Sequence, residues 1–197
     1  MSGSTSPEPL PAPARRFEAG DAVAPRELTT ILGERIRVPD PEALVHLQFR
    51  RFAGCPICNV HLRSVAARHD EIVAAGIREV AVFHSSVEDM VPHQAALPFA
   101  AVADPGRTLY VALGVESSLW AVLHPRALLA GLRPAALSVV ARGKRAGGRT
   151  GLARGETALG LPADFLLTPE GLVRAVHYGD HANDQWSVDE LLALAAA

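Results

Sequence analysis

The chain has 197 residues, 49% of them hydrophobic, and a formal net charge of -2. That is enough apolar material for one cored domain with appendages, and the charge gives no reason to propose a nucleic-acid partner. No apolar run approaches the roughly 20 residues of a membrane span, and the opening MSGSTSPEPLPAPARRF lacks the basic-then-apolar order of a secretory signal, so a cytoplasmic protein with no membrane partner is expected.

Residues 1–25 carry Pro7, Pro9, Pro11, Pro13 and Pro25 among Ser, Ala and Gly, and are expected to form a flexible tail ahead of a domain over 26–197. The run ELTTILGERIRV, Glu27 to Val38, suggests short strands around a turn at Gly33. LVHLQF alternates, with Val45, Leu47 and Phe49 on one face, and predicts a strand over Leu44 to Phe49. A helix is predicted from Pro56 to about Ala75. Proline suits the first helical position, and Cys58, Leu62, Val65, Ala66, His69, Ile72 and Val73 recur at spacings of three and four. Gly76 fits the helix end.

Glu79 to His84 is a buried-strand candidate, Ser85 a cap for a helix around Glu88 to Ala96, and Phe99 to Ala103 a strand closed by Asp104-Pro105-Gly106. Thr108 to Leu113 is expected to be helical. From about Pro125 to Leu161 the order breaks: an apolar run interrupted by Pro134 precedes a Gly-rich basic stretch, read as an insertion. Ala163 to Leu167 and Leu172 to Tyr178 form a hairpin around Thr168-Pro169-Glu170-Gly171. Ser187 with Glu190 makes a capping box, and Trp186 with Leu191 a hydrophobic staple, for a last helix to about Ala195. Strands alternating with helices imply an α/β sheet covered on both faces.

The two cysteines of the chain, Cys55 and Cys58, lie three apart in CPIC, between a strand and a helix. In a reducing compartment such a pair is redox-active or metal-binding more often than a structural staple, and this placement is that of a thioredoxin-like redox motif. A thiolate is the reactive form, and a helix amino terminus offers free N–H groups and a positive dipole end that stabilise it. Cys55 belongs at that terminus as the exposed nucleophile, with Arg50 and Arg51 adding positive potential. Cys58, one turn deeper on the apolar stripe, is the expected resolving thiol, so that the pair closes into a disulfide.

Other residues invite weaker readings. His61 extends the spacing to Cys55-x2-Cys58-x2-His61, but structural zinc usually needs a second ligand pair, so no metal is expected and His61 is read as solvated. His84 ends a strand where sites often form, against the plainer reading of a surface histidine beside a cap. His181 and Asp184 suggest a structured loop. Arg142, Lys144, Arg145, Arg149 and Arg154 suggest a solvated basic loop, or a lure for an anionic partner, and Leu128 to Val140 internal packing, a homodimer face or a substrate-groove lining.

FRRFAGCPICNVHLRSV resembles the peroxiredoxin-like branch of the alkyl hydroperoxide reductase/thiol-specific antioxidant (AhpC/TSA) group within the thioredoxin-like superfamily. VAVFHSSVEDM, LPFAAVADPGRTLYVALGV and LPADFLLTPEGLVRAVHYG resemble further segments of the family in the same order. The resemblance implies a thioredoxin-like central mixed β-sheet flanked by helices, over about residues 27–195 with the insertion inside. It departs from the family pattern PxxxTxxC. With the reactive cysteine at Cys58, Cys55 stands in the Thr place and Arg51 in the Pro place; with it at Cys55, Phe52 and Gln48 do. Neither register supplies a hydroxyl. Thioredoxins also carry a buried acid on the strand before the motif, and Leu44 to Phe49 has none. Leu161-Pro162, before a strand, matches the cis proline of thioredoxin-like proteins, which would face the CxxC and leave a backbone edge free for substrate.

The function expected is a thiol-dependent antioxidant oxidoreductase cycling a Cys55/Cys58 dithiol and disulfide, with Pro56, Arg51, Pro162 and His84 in support. Its substrate would be a peroxide or a disulfide, and its electron donor an external thiol of the thioredoxin or glutathione type. No Gly-rich dinucleotide fingerprint occurs, and no cofactor is expected. The alternative is a non-catalytic thioredoxin-like binding module whose cysteines are structural or metal-binding.

Overall fold

The computed structural model describes residues 15–115 and 160–197, together with Pro134. The insertion expected over 125–161 falls outside the described residues except for Pro134, Gly160 and Leu161. Residues 1–14 of the expected tail lie outside them too.

Five strands form the central sheet: β3 (Leu44–Phe49), β4 (Ile77–Phe83), β5 (Ala100–Ala103), β6 (Ala163–Leu167) and β7 (Val173–Tyr178). Their order is β5-β4-β3-β6-β7; β3, β4 and β5 run parallel, and β6 and β7 join antiparallel. The carboxyl ends of β3, β4 and β5 therefore gather at one edge, beside the start of β6, where Phe49 pairs with Ala163. A separate hairpin, β1 (Arg26–Thr29) and β2 (Arg35–Val38), turns at Gly33, whose φ of 87° is open to glycine, and its tip joins β5 through Ile31 N–H to the Ala101 carbonyl at 2.9 Å.

Period-two alternation sorts the sheet into two faces. Val45, Leu47 and Phe49 share one face with Val80, Val82, Phe165 and Leu167, covered by Val23, Val38, Tyr110 and Leu113. On the other face Ala81 and Phe83 pack with Leu62 and Met90, and Leu166 packs with Val65, Ile72, Val188 and Leu191. That second face lies under α1 (Pro56–Ala67), α2 (His69–Ala74), α3 (Val87–Gln94) and α5 (Val188–Ala196), while α4 (Thr108–Ala112) supplies Tyr110 to the first.

Several local expectations change. The helix expected over 56–75 breaks at Arg68, whose φ of -118° and ψ of 21° leave the helical region, so α1 and α2 are distinct; Val73, expected on the apolar stripe, is 53% exposed. Ser86 rather than Ser85 caps α3, accepting the Asp89 N–H. Residues 15–25 do not behave as a tail. Val23 is buried, its N–H donates to the Gly171 carbonyl at 2.8 Å, and the Phe17 N–H donates to the Tyr178 hydroxyl at 2.9 Å. Hydrogen bonds to β7 and its turn, with apolar anchors at Phe17 and Val23, outweigh the local disorder that the proline content suggests.

Candidate active site

The loop from Arg50 to Gly54 leaves β3 and delivers the chain to the start of α1. It is held from three sides: Ser85 Oγ accepts the Ala53 N–H at 2.8 Å, and the Ala53 carbonyl accepts Asn59 Nδ2 at 2.7 Å and Gln94 Nε2 at 3.0 Å. Asn59 also bonds the Cys55 carbonyl and Gln94, so a short chain of buried amides ties the motif to α3. Pro56 stands at the first helical position, and Cys55 is the N-cap residue, its sulfur accepting the Cys58 N–H at 3.4 Å.

Both cysteines are free thiols and their sulfurs are 2.8 Å apart. Neither is exposed: Cys55 has 1% and Cys58 0% of its surface open, which corrects the expectation of an exposed nucleophile at Cys55. Pro56 and Ile57 turn the helix start inward, packing both sulfurs with Phe52 and Ile57. The surroundings are not pure hydrocarbon, since Arg51 Nη1 lies 3.8 Å from Cys55 Sγ.

The pair shares a proton unequally. Burial disfavours a thiolate on either sulfur, and at Cys55 burial and the bond with Cys58 push the thiol well up. At Cys58 the bond with Cys55, the Arg51 charge, the Arg51 backbone N–H and the Arg50 charge outweigh burial and draw the thiol down. The two shifts run in opposite directions across the sulfur–sulfur contact, while the Arg51 guanidinium and the Cys58 N–H both reach Cys55 Sγ.

His84 is buried rather than on the surface, with its ring 5.7 Å from that of Tyr110. A Cβ on Gly160 would meet His84 Cε1 at 3.2 Å and Arg51 Cγ at 3.9 Å, so Gly160, His84 and Arg51 converge. Arg51, His84 and the two cysteines thus gather at the carboxyl edge of the sheet. The Leu161–Pro162 bond is trans; the cis peptide among the described residues is Val38–Pro39. β6 already has β3 and β7 on its two sides, and the Pro162 carbonyl accepts the Gly179 N–H at 2.9 Å, so Pro162 closes a ladder instead of offering a free edge. His181 and Asp184 form the expected structured loop, with the Asp184 N–H on the His181 carbonyl at 3.0 Å.

Beneath the motif lies a buried polar network that the sequence reading missed. Arg50, with 0% of its surface open, donates to Asp164 Oδ1 at 2.6 Å and Gln48 Oε1 at 2.7 Å, and its Nη2 lies 3.2 Å from His61 Nε2. His46 bridges Glu79 at 2.9 Å and Asp164 at 3.1 Å, and Gln48 Nε2 bonds Glu79. His46 and Gln48 occupy the opposite face of β3 from Val45 and Leu47, and register places Glu79 beside His46 and Asp164 beside Gln48. Burial disfavours the His46 charge, but the two carboxylates raise it to about 9. Asp164 is held well below the carboxylate range because Arg50 and His46 overcome its burial. The buried acids of this network come from β4 (Glu79) and β6 (Asp164), not from β3. His61 is not a freely solvated side chain: burial and the Arg50 cation hold it neutral, and its edge borders a cleft with Ser64 and Asn183. Alternation along LVHLQF points to His46 and Gln48 as a shared face, and only cross-strand register reveals what that face meets.

Among the described residues, no group of three or more His, Cys, Asp or Glu side chains is placed to hold a metal ion, and no helix is long and apolar enough to cross a membrane.

Comparison with known proteins gives the family context. The family described as AhpC/TSA antioxidant enzyme matches residues 62–181, beginning just after Cys58. Among solved structures, peroxidoxin BcpB from Mycobacterium tuberculosis is similar with a TM-score of 0.63 and 17% identity, covering 92% of this chain and 97% of that one. The reduced 2-Cys peroxiredoxin of Plasmodium vivax gives 0.62 and 11%, covering 92% and 81%. A Chlorobium tepidum protein described as a candidate thiol:disulfide interchange protein DsbE gives 0.53 and 18%, covering 91% and 99%. At these identities the likeness speaks to the fold. No curated protein sequence matches the chain.

Proposed function

The chain belongs to the AhpC/TSA antioxidant enzyme family, and from that premise we propose that Cys55 and Cys58 carry its thiol-dependent reaction by cycling between dithiol and disulfide. The observation that carries this reading is the 2.8 Å separation of two free sulfurs at the amino end of α1, with Arg51 beside them. A thiolate on one sulfur attacks a peroxide oxygen and breaks the O–O bond. The proximal oxygen stays as a sulfenic acid, and the leaving oxygen takes a proton as alcohol or water. The second thiol then attacks the sulfenic sulfur, the S–S bond forms, and water leaves. An external dithiol returns the two electrons. Arg51 supports the anionic sulfur, Pro56 sets the helix start, and His84 forms the wall of the site with Gly160.

The helix-capping CxxC also suits attack on a disulfide, giving a mixed disulfide that the second thiol resolves. The two substrates separate in one experiment: thiols are counted after addition of one equivalent of hydrogen peroxide or of an oxidised glutathione-type disulfide. We expect both thiols to disappear together, with an intramolecular disulfide in the intact mass, and Cys58→Ser to abolish it. Retention of both thiols under either oxidant, with no loss of activity in Cys55→Ser, would sink the proposal.

A further inference from the structure

From Arg50 to Asn59 every residue is buried except Pro56 and Ile57. The two sulfurs pack with Phe52, which is itself buried, and with Ile57, which is half-buried. Within the motif, Ile57 is therefore the side chain that meets both the sulfur pair and the surface. Phe52 is fixed in place: its carbonyl accepts the Cys55 N–H at 3.0 Å, and Arg51 lies over its ring at 5.5 Å. The next residue, Ala53, is held by Ser85, Asn59 and Gln94. The cover at Ile57 is stiff as well. A β-branched side chain in a helix has one strongly preferred χ1 rotamer, and Pro56 sets the turn on which Ile57 stands.

We infer that Ile57 is a specificity-determining residue: it closes the Cys55–Cys58 pair to disulfides of peptide or glutathione type and leaves it open to hydrogen peroxide. The inference rests on the dithiol reading and deepens it by setting the size of the oxidant. In attack on a disulfide, a bond forms between the protein sulfur and a substrate sulfur, the substrate S–S bond breaks, and the other substrate sulfur leaves with the electron pair. Both substrate sulfurs carry carbon chains, so the reacting atoms arrive with bulk on either side. Hydrogen peroxide carries only hydrogens. An S–O bond forms, the O–O bond breaks, and the leaving oxygen takes the electron pair and a proton as water; the second thiol then closes the disulfide with loss of a second water. Rotamer motion of one half-exposed side chain opens a passage for the small oxidant. A passage for a disulfide needs the loop before α1 to move, and that loop is bonded from three sides.

The test grades reagents by size. Reduced protein is alkylated with iodoacetamide or with a fluorescein maleimide, and each rate is divided by that of the same reagent on the urea-unfolded chain. In the folded parent the maleimide then lags iodoacetamide by about tenfold, the scale of discrimination that a methylene or two gives in an apolar site. Ile57→Ala brings the two rates together. Alanine is the strongest helix former and Ile57 is half-buried, so the variant keeps the fold. Parent and variant are next given hydrogen peroxide or oxidised glutathione, and thiol loss is followed. The preference for peroxide over the disulfide falls by about tenfold in Ile57→Ala. Equal normalised alkylation rates in the parent, a lag that Ile57→Ala leaves in place, or a peroxide preference that is the same in both proteins overturns the inference, even where an oxidant closes the disulfide. Alkylation needs no turnover. A lag that depends on Ile57 in a protein that neither oxidant converts to a disulfide therefore fails the dithiol reading and leaves the size limit standing.

Discussion

At the scale of single residues, the charges that matter are placed where sequence alone would not put them. Arg50 and Asp164 are both fully buried and bonded to each other, and His46 lies between Asp164 and Glu79. A buried charge is tolerated only with partners, and here every charge in the network has one. The consequence is a pH dependence. His46 is an imidazole of ordinary value 6.5 raised to about 9 in the fold. The folded state therefore holds a proton that the unfolded chain has lost between those values. The stabilisation is complete below 6.5 and declines as pH rises through 9, by about 3 kcal/mol in all. Urea denaturation at a series of pH values checks this. The parent protein loses stability steadily from neutral to pH 9, and His46→Gln, less stable at neutral pH, shows a flatter slope over that interval. His61 works on the acid side, where its depressed value removes stability as pH falls below the ordinary imidazole range.

Among the elements, the helix starts carry the clearest local logic. α5 opens with a complete capping box: Ser187 Oγ accepts the Glu190 N–H at 3.2 Å, and Glu190 accepts the Ser187 N–H at 2.7 Å. Val188 and Leu191 then pack on Leu166 from outside the polar network. Ser187→Ala is expected to cost about 1 kcal/mol of global stability, read as a lower urea midpoint with unchanged slope, and to leave thiol titration unaltered. α1 is different, because its cap residue is also a reactive group. Cys55 Sγ accepts the Cys58 N–H at 3.4 Å that starts the helix, and the same sulfur meets Cys58 Sγ at 2.8 Å. The break at Arg68 has no signature in Gly or Pro; the guanidinium there bridges Glu71 and Asp189, joining α2 to α5.

For the whole molecule, topology assembles the site. Parallel β3, β4 and β5 deliver Arg50, His84 and Asp104 to one edge, and antiparallel β6 brings Asp164 and Gly160 to the same region. The cavity of about 350 Å³ lined by Val45, Ile77 and Ala100 opens near the opposite ends of those strands, away from the sulfurs. The first face of the sheet is completed by a segment that composition assigns to a tail. The Phe17 ring sits edge-on to Phe165 at 6.3 Å, and Arg16 lies over the Tyr178 ring at 5.0 Å. Phe17→Ala is expected to destabilise the fold by about 2 kcal/mol, below the range for a fully buried phenylalanine because Phe17 is only half-buried. A thermal midpoint within experimental error of the parent would show that the segment is ornamental.

Alternation in LVHLQF, the Pro-led helix that begins inside CPIC, the hairpin around Gly171 and the Ser187–Glu190 box were all determined by the sequence itself, because each depends on residues within a few positions of one another. The spacing of Cys55 and Cys58 likewise sets their proximity before any tertiary contact forms. What tertiary structure alone decided is that both sulfurs are buried with Arg51 beside them, that Pro162 stays trans, that Val23 is core, and that an acid from β6 and a histidine from β3 meet in the interior. The physical reason is range. Helical and strand periodicity act over a turn or two, whereas burial and Coulomb interactions couple groups such as Arg50 and Asp164, 114 positions apart, that meet only when the sheet closes.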